Sequence, residues 1–338
     1  MSPQPVSAAV ESASVYSPDQ ITAWLNYICL PTSYTEYISS PGTFPKTYDA
    51  LCTLMRCQIS RFPYENLSVH YSSTQLVDIR PDVAYEKIMG PKRDGARRRG
   101  GYCMEVSIFF YHMLLGMGFD VYMTGVRNRA RTNGIPGGGY LGFTHINNIV
   151  QLPSGEKFSV DVGFGGDGPT CPLPLNDLGK SFKNLGNQEI RLTHDHIPKQ
   201  NSRGDKLWIY QYRNGPHLEW NSFYCFAELE FFQEDFEVMN WWTSAKTLHK
   251  WTVLCVRFLR EGEGVEFSEN PSLPLDCGVK IVGKVMLVDN VIKVNLGRET
   301  SIVHSFDTEE GRLRALKDYF GISLTEDEAH SIRDMALK

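Results

Sequence analysis

The chain has 338 residues, a formal net charge of −5, 42% hydrophobic and 22% charged residues. These are ordinary globular proportions with no global pull toward nucleic acid or an anionic membrane, and the length suffices for two or three domains. Eight cysteines (29, 52, 57, 103, 171, 225, 255 and 277) include no CxxC pair, so neither a zinc site nor a disulfide framework is supported, and a reducing compartment is expected.

Residues 1–17, rich in Ser, Ala, Pro and Val, read as a flexible tail without the basic start and apolar core of a signal peptide. No run reaches membrane-spanning length, so a cytoplasmic protein with no membrane partner is expected. Residues 18–118 read as mainly helical. A helix opens at Pro18-Asp19-Gln20 with Asp19 as its cap, and further helices cover 48–59 and 82–88. Cys52 and Cys57 are then helix-face residues. The basic run Pro91–Arg99 reads as an electropositive collar beside the Gly-Gly-Tyr-Cys segment, with solvated loop charge as the alternative.

That segment reads Arg98-Arg99-Gly100-Gly101-Tyr102-Cys103-Met104-Glu105 in full. Two glycines permit a tight turn and close approach of backbone to a ligand. Val106, Phe109, Phe110, Met113, Leu114 and Met117 then recur at helical period, with one apolar face, and Gly116 and Gly118 mark the end. Cys103 therefore sits in a first helical turn, where unpaired N–H groups and the dipole favour a thiolate. Glu105, in the same turn, reads as a structural carboxylate paired with Arg98 or Arg99.

Residues 119–227 alternate strand signals with Gly/Pro-rich loops such as 134–139, which fits a β-barrel or a strongly twisted sheet. Arg127–Arg131 reads as a basic loop after a strand. Thr144-His145 opens an apolar run to Leu152, Pro153–Glu156 is a turn, and 158–162 returns, predicting a hairpin with His145 and Asp161 near its open end. His145 lies eight residues before Pro153 and Asp161 five after Glu156, so their meeting needs a bulge or a diagonal contact. His194-Asp195-His196 could grip a metal, but the sequence places no third ligand nearby, so a surface loop is expected.

Residues 228–338 combine a connecting helix, strands over 251–259, 279–288 and 291–295, and two closing helices capped by Thr308 and Thr325. Trp241-Trp242 reads either as an aromatic wall for a ligand or as packing at a domain junction.

Cys103, His145 and Asp161 follow in that order, 42 and 16 residues apart. Together they supply a nucleophile, a base that forms a thiolate–imidazolium pair, and a carboxylate that fixes the tautomer. Singly, each has a bland account: a buried structural cysteine, an edge histidine, a turn-capping aspartate.

Arg99-Gly100-Gly101-Tyr102-Cys103, Gly142-Phe143-Thr144-His145 and Val160-Asp161-Val162-Gly163-Phe164-Gly165 resemble three signature segments of the arylamine N-acetyltransferases. Phe62-Pro63-Tyr64-Glu65-Asn66-Leu67 resembles that family's Pro-Phe-Glu-Asn-Leu element. Glu234–Asn240 with Thr243-Ser244 resembles its helix between barrel and lid. The resemblance, to a fungal-like eukaryotic member, spans roughly 18–335. Met104, Val106 and Ser107 depart from the residues common in that helix, and Ser107 is expected to lose a hydrogen bond to the loop. Ala245 stands where proline is common. No extended C-terminal tail is expected in the cleft.

The resemblance implies an α+β fold with a cysteine-protease-like Cys-His-Asp core. Its parts are a helical bundle (18–118), a β-barrel (119–227), and an interdomain helix with an α/β lid (228–338). It implies ping-pong transfer of an acyl group from acyl-CoA (acetyl-CoA or malonyl-CoA) to an aromatic amine or hydrazine, with no metal. Cys103 would be the nucleophile, His145 the base and Asp161 its orienting group, with the Cys103 N–H as an oxyanion donor. Leu141, Gly142, Trp242, Thr243 and Ser244 would bind coenzyme A, and Tyr64, Phe143 and Phe164 would line the acceptor pocket. The alternatives are a transglutaminase-like or cysteine hydrolase with the same trio, and a non-catalytic binding protein; the intact trio speaks against the latter.

Overall fold

The computed structural model describes residues 13–90, 99–132, 134–271, 273 and 278–337. The expected tail up to residue 12, most of the basic run (91–98, with Arg98) and Cys277 lie outside the described residues. Helix α1 is Pro18–Tyr27, α2 Tyr48–Arg61, β1 the short Tyr64–Glu65, α3 Leu67–His70, α4 Pro81–Met89 and α5 Cys103–Gly116. Ser17, not Asp19, caps α1: its hydroxyl accepts from Gln20 N at 3.2 Å while the Gln20 side chain accepts from Ser17 N at 2.9 Å. Pro18, preset for a helical φ, takes the first helical position, so the cap lies two residues before the expected one.

Helix α5 is the centre of the molecule. All its residues from Cys103 to Leu114 are buried, so it is not the one-faced helix that its apolar spacing suggests. Glu105, Ser107 and His112 are inside as well. A helix enclosed on every side belongs to a core, here shared with Trp24, Leu54, Ile88 and Val150.

The next strands are β2 Asp120–Thr132, β3 Ile135–Gln151, β4 Lys157–Val160, β5 Leu173–Pro174, β6 Phe182–Lys183, β7 Glu189–Asp195, β8 Leu207–Arg213 and β9 Asn221–Phe226. They form one eight-stranded sheet in the order β5-β4-β3-β2-β9-β8-β7-β6. Its described ladders are antiparallel. Where a β-barrel or a strongly twisted sheet is expected, the sheet is a curled half-barrel: β5 and β6 are open edges, yet Leu173 of β5 and Ile190 of β7 share one core with Tyr210 and Tyr224. Arg127–Arg131 lies within β2, not in a loop, and the glycine-rich 135–139 is the start of β3. Three register shifts let β2 and β3 stay paired through the glycines.

Helix α6 is Gln233–Lys246, followed by a 3₁₀ turn at Leu248–Lys250; then come β10 Leu254–Arg260, β11 Ile281–Val288, β12 Val291–Asn295, β13 Thr300–Ser305, α7 Glu309–Phe320 and α8 Glu326–His330. The second sheet runs β1-β10-β11-β12-β13. Strand β13 is exposed along its whole length, so it carries no inside–outside alternation to read. Thr308 and Thr325 cap α7 and α8 as expected. Among the described residues no helix is long and apolar enough to cross a membrane.

Candidate active site

The backbone before α5 is pinned to the segment 63–65. Gly101 N donates to Pro63 O at 3.3 Å and Glu65 N donates to Gly101 O at 3.0 Å. A β-carbon on Gly100 would lie 1.7 Å from Pro63 O, and one on Gly101 2.6 Å from Glu105 Cβ. The glycines therefore permit close approach to the protein's own backbone and to Glu105, not to a ligand. Glu105 accepts from Tyr102 N at 3.0 Å, closing the first turn, and pairs with Lys87 at 2.7 Å. Its described cation is thus Lys87; Arg99 instead holds Glu65 at 3.1 Å and Glu328 at 2.9 Å. Lys87 also reaches Glu65 at 3.0 Å. Burial alone would raise the Glu65 carboxyl; Arg99 and Lys87 outweigh it and hold the group at about 2.

Cys103 opens α5 and is 3% exposed. Burial pushes its thiol up and the charge of Asp161 adds to this, while the N–H groups of Met104 and Cys103 pull it down. The helix terminus therefore acts in the expected direction but does not by itself yield a thiolate. The proton needs an acceptor.

His145 is the imidazole to which the family resemblance gives that task. Its Nε2 lies 2.8 Å from Asp161 Oδ2, with both side chains buried. Asp161 Oδ1 accepts from Gly163 N at 3.0 Å. A β-carbon on Gly163 would stand 2.9 Å from Cys103 Cα and 2.7 Å from Ser107 Oγ, so the loop after Asp161 lies directly on the first turns of α5. Ser107 Oγ has no hydrogen-bond partner among the described residues, the loss expected at that position. Strand β3 pairs His145 with Val126 but Phe143 with Arg127, leaving Thr144 as an extra residue. This bulge turns Phe143 and His145 to opposite faces. The His145 ring packs 5.0 Å from Phe164 and 6.0 Å from Tyr224.

The segment 64–66 divides its labour. Tyr64 OH meets His249 Nε2 at 3.3 Å, Glu65 enters the ion cluster, and Asn66 Nδ2 donates to Thr252 O at 2.7 Å and His249 O at 3.1 Å. Tyr102 presents its ring edge-on to His249 at 5.5 Å, and its hydroxyl bonds Asn240 of α6.

The sequence matches the profile of a family described as N-acetyltransferase over residues 47–265. The chain belongs to the arylamine N-acetyltransferase family. It is an enzyme of the acyltransferase class. An N-malonyltransferase of Gibberella moniliformis is 30% identical over 297 residues, covering 83% of this chain and 80% of that protein. Among solved structures, the Salmonella typhimurium arylamine N-acetyltransferase superposes with a TM-score of 0.66 at 23% identity, covering 92% and 97% of the two chains. The Mycobacterium marinum arylamine N-acetyltransferase in complex with CoA gives a TM-score of 0.65 at 22% identity, covering 93% and 95%. Both establish the shared fold.

The residues that family resemblance assigns to ligands fall into distinct places. Tyr64 lies against the loop that carries Phe164, since a β-carbon on Gly165 would touch the Tyr64 ring at 3.5 Å, while the Phe164 ring packs on Phe223 at 4.7 Å and His145 at 5.0 Å. Phe143 stands apart, under the Arg127 guanidinium at 3.9 Å and beside Phe231 at 5.1 Å. Leu141 and Trp242 are exposed, as is Trp241, so the tryptophan pair is not domain-junction packing. Around Gly142 nothing lies within 4 Å of a built β-carbon. Thr243 and Ser244 are buried, with hydroxyls directed to Thr144 O and Asn240 O. Ser244 also borders a cavity of about 190 Å³ with His70, Lys250 and Arg333. His194 stacks on Trp208 at 4.5 Å at the end of β7, so it is a strand residue rather than a loop one.

Sequence reading passed over Lys87 and His249, and named Asn240 only as the end of a family-like helix segment. Lys87 is one of several lysines with nothing to mark it, and His249 belongs to no motif segment.

Proposed function

We propose that the enzyme moves an acyl group from acyl-CoA to an aromatic amine or hydrazine through an acyl-cysteine on Cys103. The observation that carries this reading is the buried 2.8 Å contact of His145 with Asp161 beside the first turn of α5. With Nε2 engaged by Asp161, Nδ1 is the nitrogen left to take the Cys103 proton. The thiolate attacks the thioester carbonyl, and the coenzyme A sulfur leaves with the proton returned by the imidazolium. In the second half-reaction the amine attacks the acyl-cysteine, His145 receives the amine proton, and the Cys103 sulfur departs. The Cys103 N–H is the oxyanion donor we assign.

Leu141, Gly142 and Trp242 form the exposed donor side, with Thr243 and Ser244 behind them. Tyr64 and Phe164 form the acceptor side, and Phe143 contributes from the other face of β3. Residues 18–118, 119–227 and 228–338 are the corresponding working parts, bringing Cys103, the His145–Asp161 pair and the cover over the site. A reducing compartment such as the cytoplasm suits this chemistry, because an oxidised Cys103 cannot accept an acyl group.

Mixing enzyme with acyl-CoA and no amine should release about one coenzyme A per site in a burst. Intact-mass and peptide mapping should place the adduct on Cys103. An adduct on another cysteine, or labelling of Cys103→Ala, overturns the proposal.

A further inference from the structure

We infer that Tyr64 and His249 form a recognition device for a carboxylate at the far end of the acyl group, so that the favoured donors are thioesters of dicarboxylic acids. The inference rests on the acyl-cysteine reading and names the substrate class of that site. Position 64 falls in the element where the family resemblance has phenylalanine and this chain has tyrosine. The added hydroxyl is not idle: it meets His249 Nε2 at 3.3 Å. His249 is 7% exposed, and its Nδ1 has no hydrogen-bond partner among the described residues. A buried imidazole with one nitrogen unpartnered is free to choose its tautomer. With the proton on Nε2 it donates to the phenol oxygen, and the phenol proton is then available to an incoming acceptor.

The pair is held rigidly and close to the nucleophile. Tyr64 is bridged to Gly101, two residues before Cys103, and its ring lies against Gly165 in the loop after Asp161. Tyr102, the residue preceding Cys103, fixes the His249 ring from the side. Asn66 holds the His249 carbonyl at 3.1 Å. Lys87 and Arg99 beside it are committed to Glu65, Glu105 and Glu328, and Lys284 near the Gly165 loop to Gly166 O and Asp167. An acyl carboxylate would therefore be received by polarised neutral donors, a charge-assisted hydrogen bond in a dry site. An acetyl group has nothing to offer such a pair, whereas a malonyl group does. Tyr64 acts on the ligand directly; His249 is a positioning residue that acts through Tyr64.

The test is the rate of the coenzyme A burst with malonyl-CoA against butyryl-CoA, which is of similar reach but uncharged. The readout is the ratio of the two rates within one enzyme preparation. The wild type should prefer malonyl-CoA. Tyr64→Phe and His249→Phe should each lower the ratio by about 10- to 100-fold, the worth of one hydrogen bond to a charged group. The double variant should fall no further, since the two act as a unit. His249→Gln, which keeps a donor, should retain part of the preference. A Tyr64→Phe enzyme with wild-type melting and an unchanged ratio overturns the inference, as does a wild type acylated equally by both thioesters. Absence of any acyl adduct on Cys103 with acetyl-, butyryl- or malonyl-CoA instead overturns the acyl-cysteine reading itself, and the inference with it.

Discussion

Asp161 reaches His145 along a diagonal of the β3–β4 ladder, not across a rung. Val160 pairs with Asn148, so Asp161 stands level with Asn147 and His145 lies two residues further along β3. The ladder itself is regular; the bulge at Thr144 lies on the other side, between β3 and β2. A diagonal pair of this kind is within reach of long side chains. The carboxylate is anchored at its second oxygen by Gly163 N at 3.0 Å, so it presents one fixed oxygen to the imidazole.

Replacing Asp161 with Asn keeps that shape and removes the charge. Acyl-enzyme formation should fall on the order of 10⁴-fold, as when a triad carboxylate is neutralised. Melting temperature should stay close to wild type. Single-turnover acylation within about tenfold of wild type would show that the carboxylate has no part in activating His145.

His145→Ala isolates Cys103 from its proton acceptor. Burial and the Asp161 charge then both raise the thiol, and only two N–H groups oppose them. If the proposed thiolate–imidazolium pair forms, iodoacetamide should alkylate wild-type Cys103 well below pH 7. In the variant the onset should move above the ordinary thiol value of 9.0. Superimposable pH profiles would mean that Cys103 ionises independently of His145.

Much of this was legible because it is local. The Cys103 helix start, the Thr308 and Thr325 caps and the hairpin that carries His145 and Asp161 all lie in short, ordered segments. The misreadings share a different cause. Glu105 takes Lys87, 18 residues away, and Arg99 takes Glu65, 34 away, pairings that only the packed fold brings together. Gly100 makes room for Pro63 and Gly101 for the Glu105 side chain, contacts that no spacing announces. His249 reaches Tyr64 across 185 residues, and its immediate sequence is unremarkable for a turn after a helix. The bulge at Thr144, which puts Phe143 and His145 on opposite faces, likewise has no mark in the residue pattern.

The buried ion cluster should make stability depend on acid. Glu65 ionises at about 2 in the fold against 4.5 ordinarily, so its contribution is full above pH 4.5 and is lost as pH falls toward 2. Glu65→Gln leaves Arg99 and Lys87 without their shared carboxylate and should cost about 3–5 kcal/mol at neutral pH. Its stability should also decline less steeply than wild type between pH 4.5 and 2. Denaturant melts across that range give both numbers. Parallel pH curves for the two proteins would show that Glu65 carries no net ionic stabilisation.

Two glycines of the signature segments should respond in opposite ways to an added side chain. At Gly100 a β-carbon would sit 1.7 Å from Pro63 O, so Gly100→Ala must displace the backbone that sets the start of α5, and folding should suffer. At Gly142 no atom lies within 4 Å, the position is exposed on β3, and valine suits an extended backbone. Gly142→Val should therefore fold normally, with unchanged circular dichroism and Cys103 alkylation. If the donor passes over this part of β3, the valine occupies its space, and the acyl-CoA concentration for half-maximal acylation should rise about tenfold or more. Phe164→Ser removes a ring lying 5.0 Å from His145 and 4.7 Å from Phe223. It should act chiefly on the second half-reaction, changing the spread of rates across amines of different ring size. A well-folded Gly142→Val enzyme that acylates normally removes residues 141–142 from the donor path, and the thioester must then approach Cys103 from the side of Trp242 and Ser244.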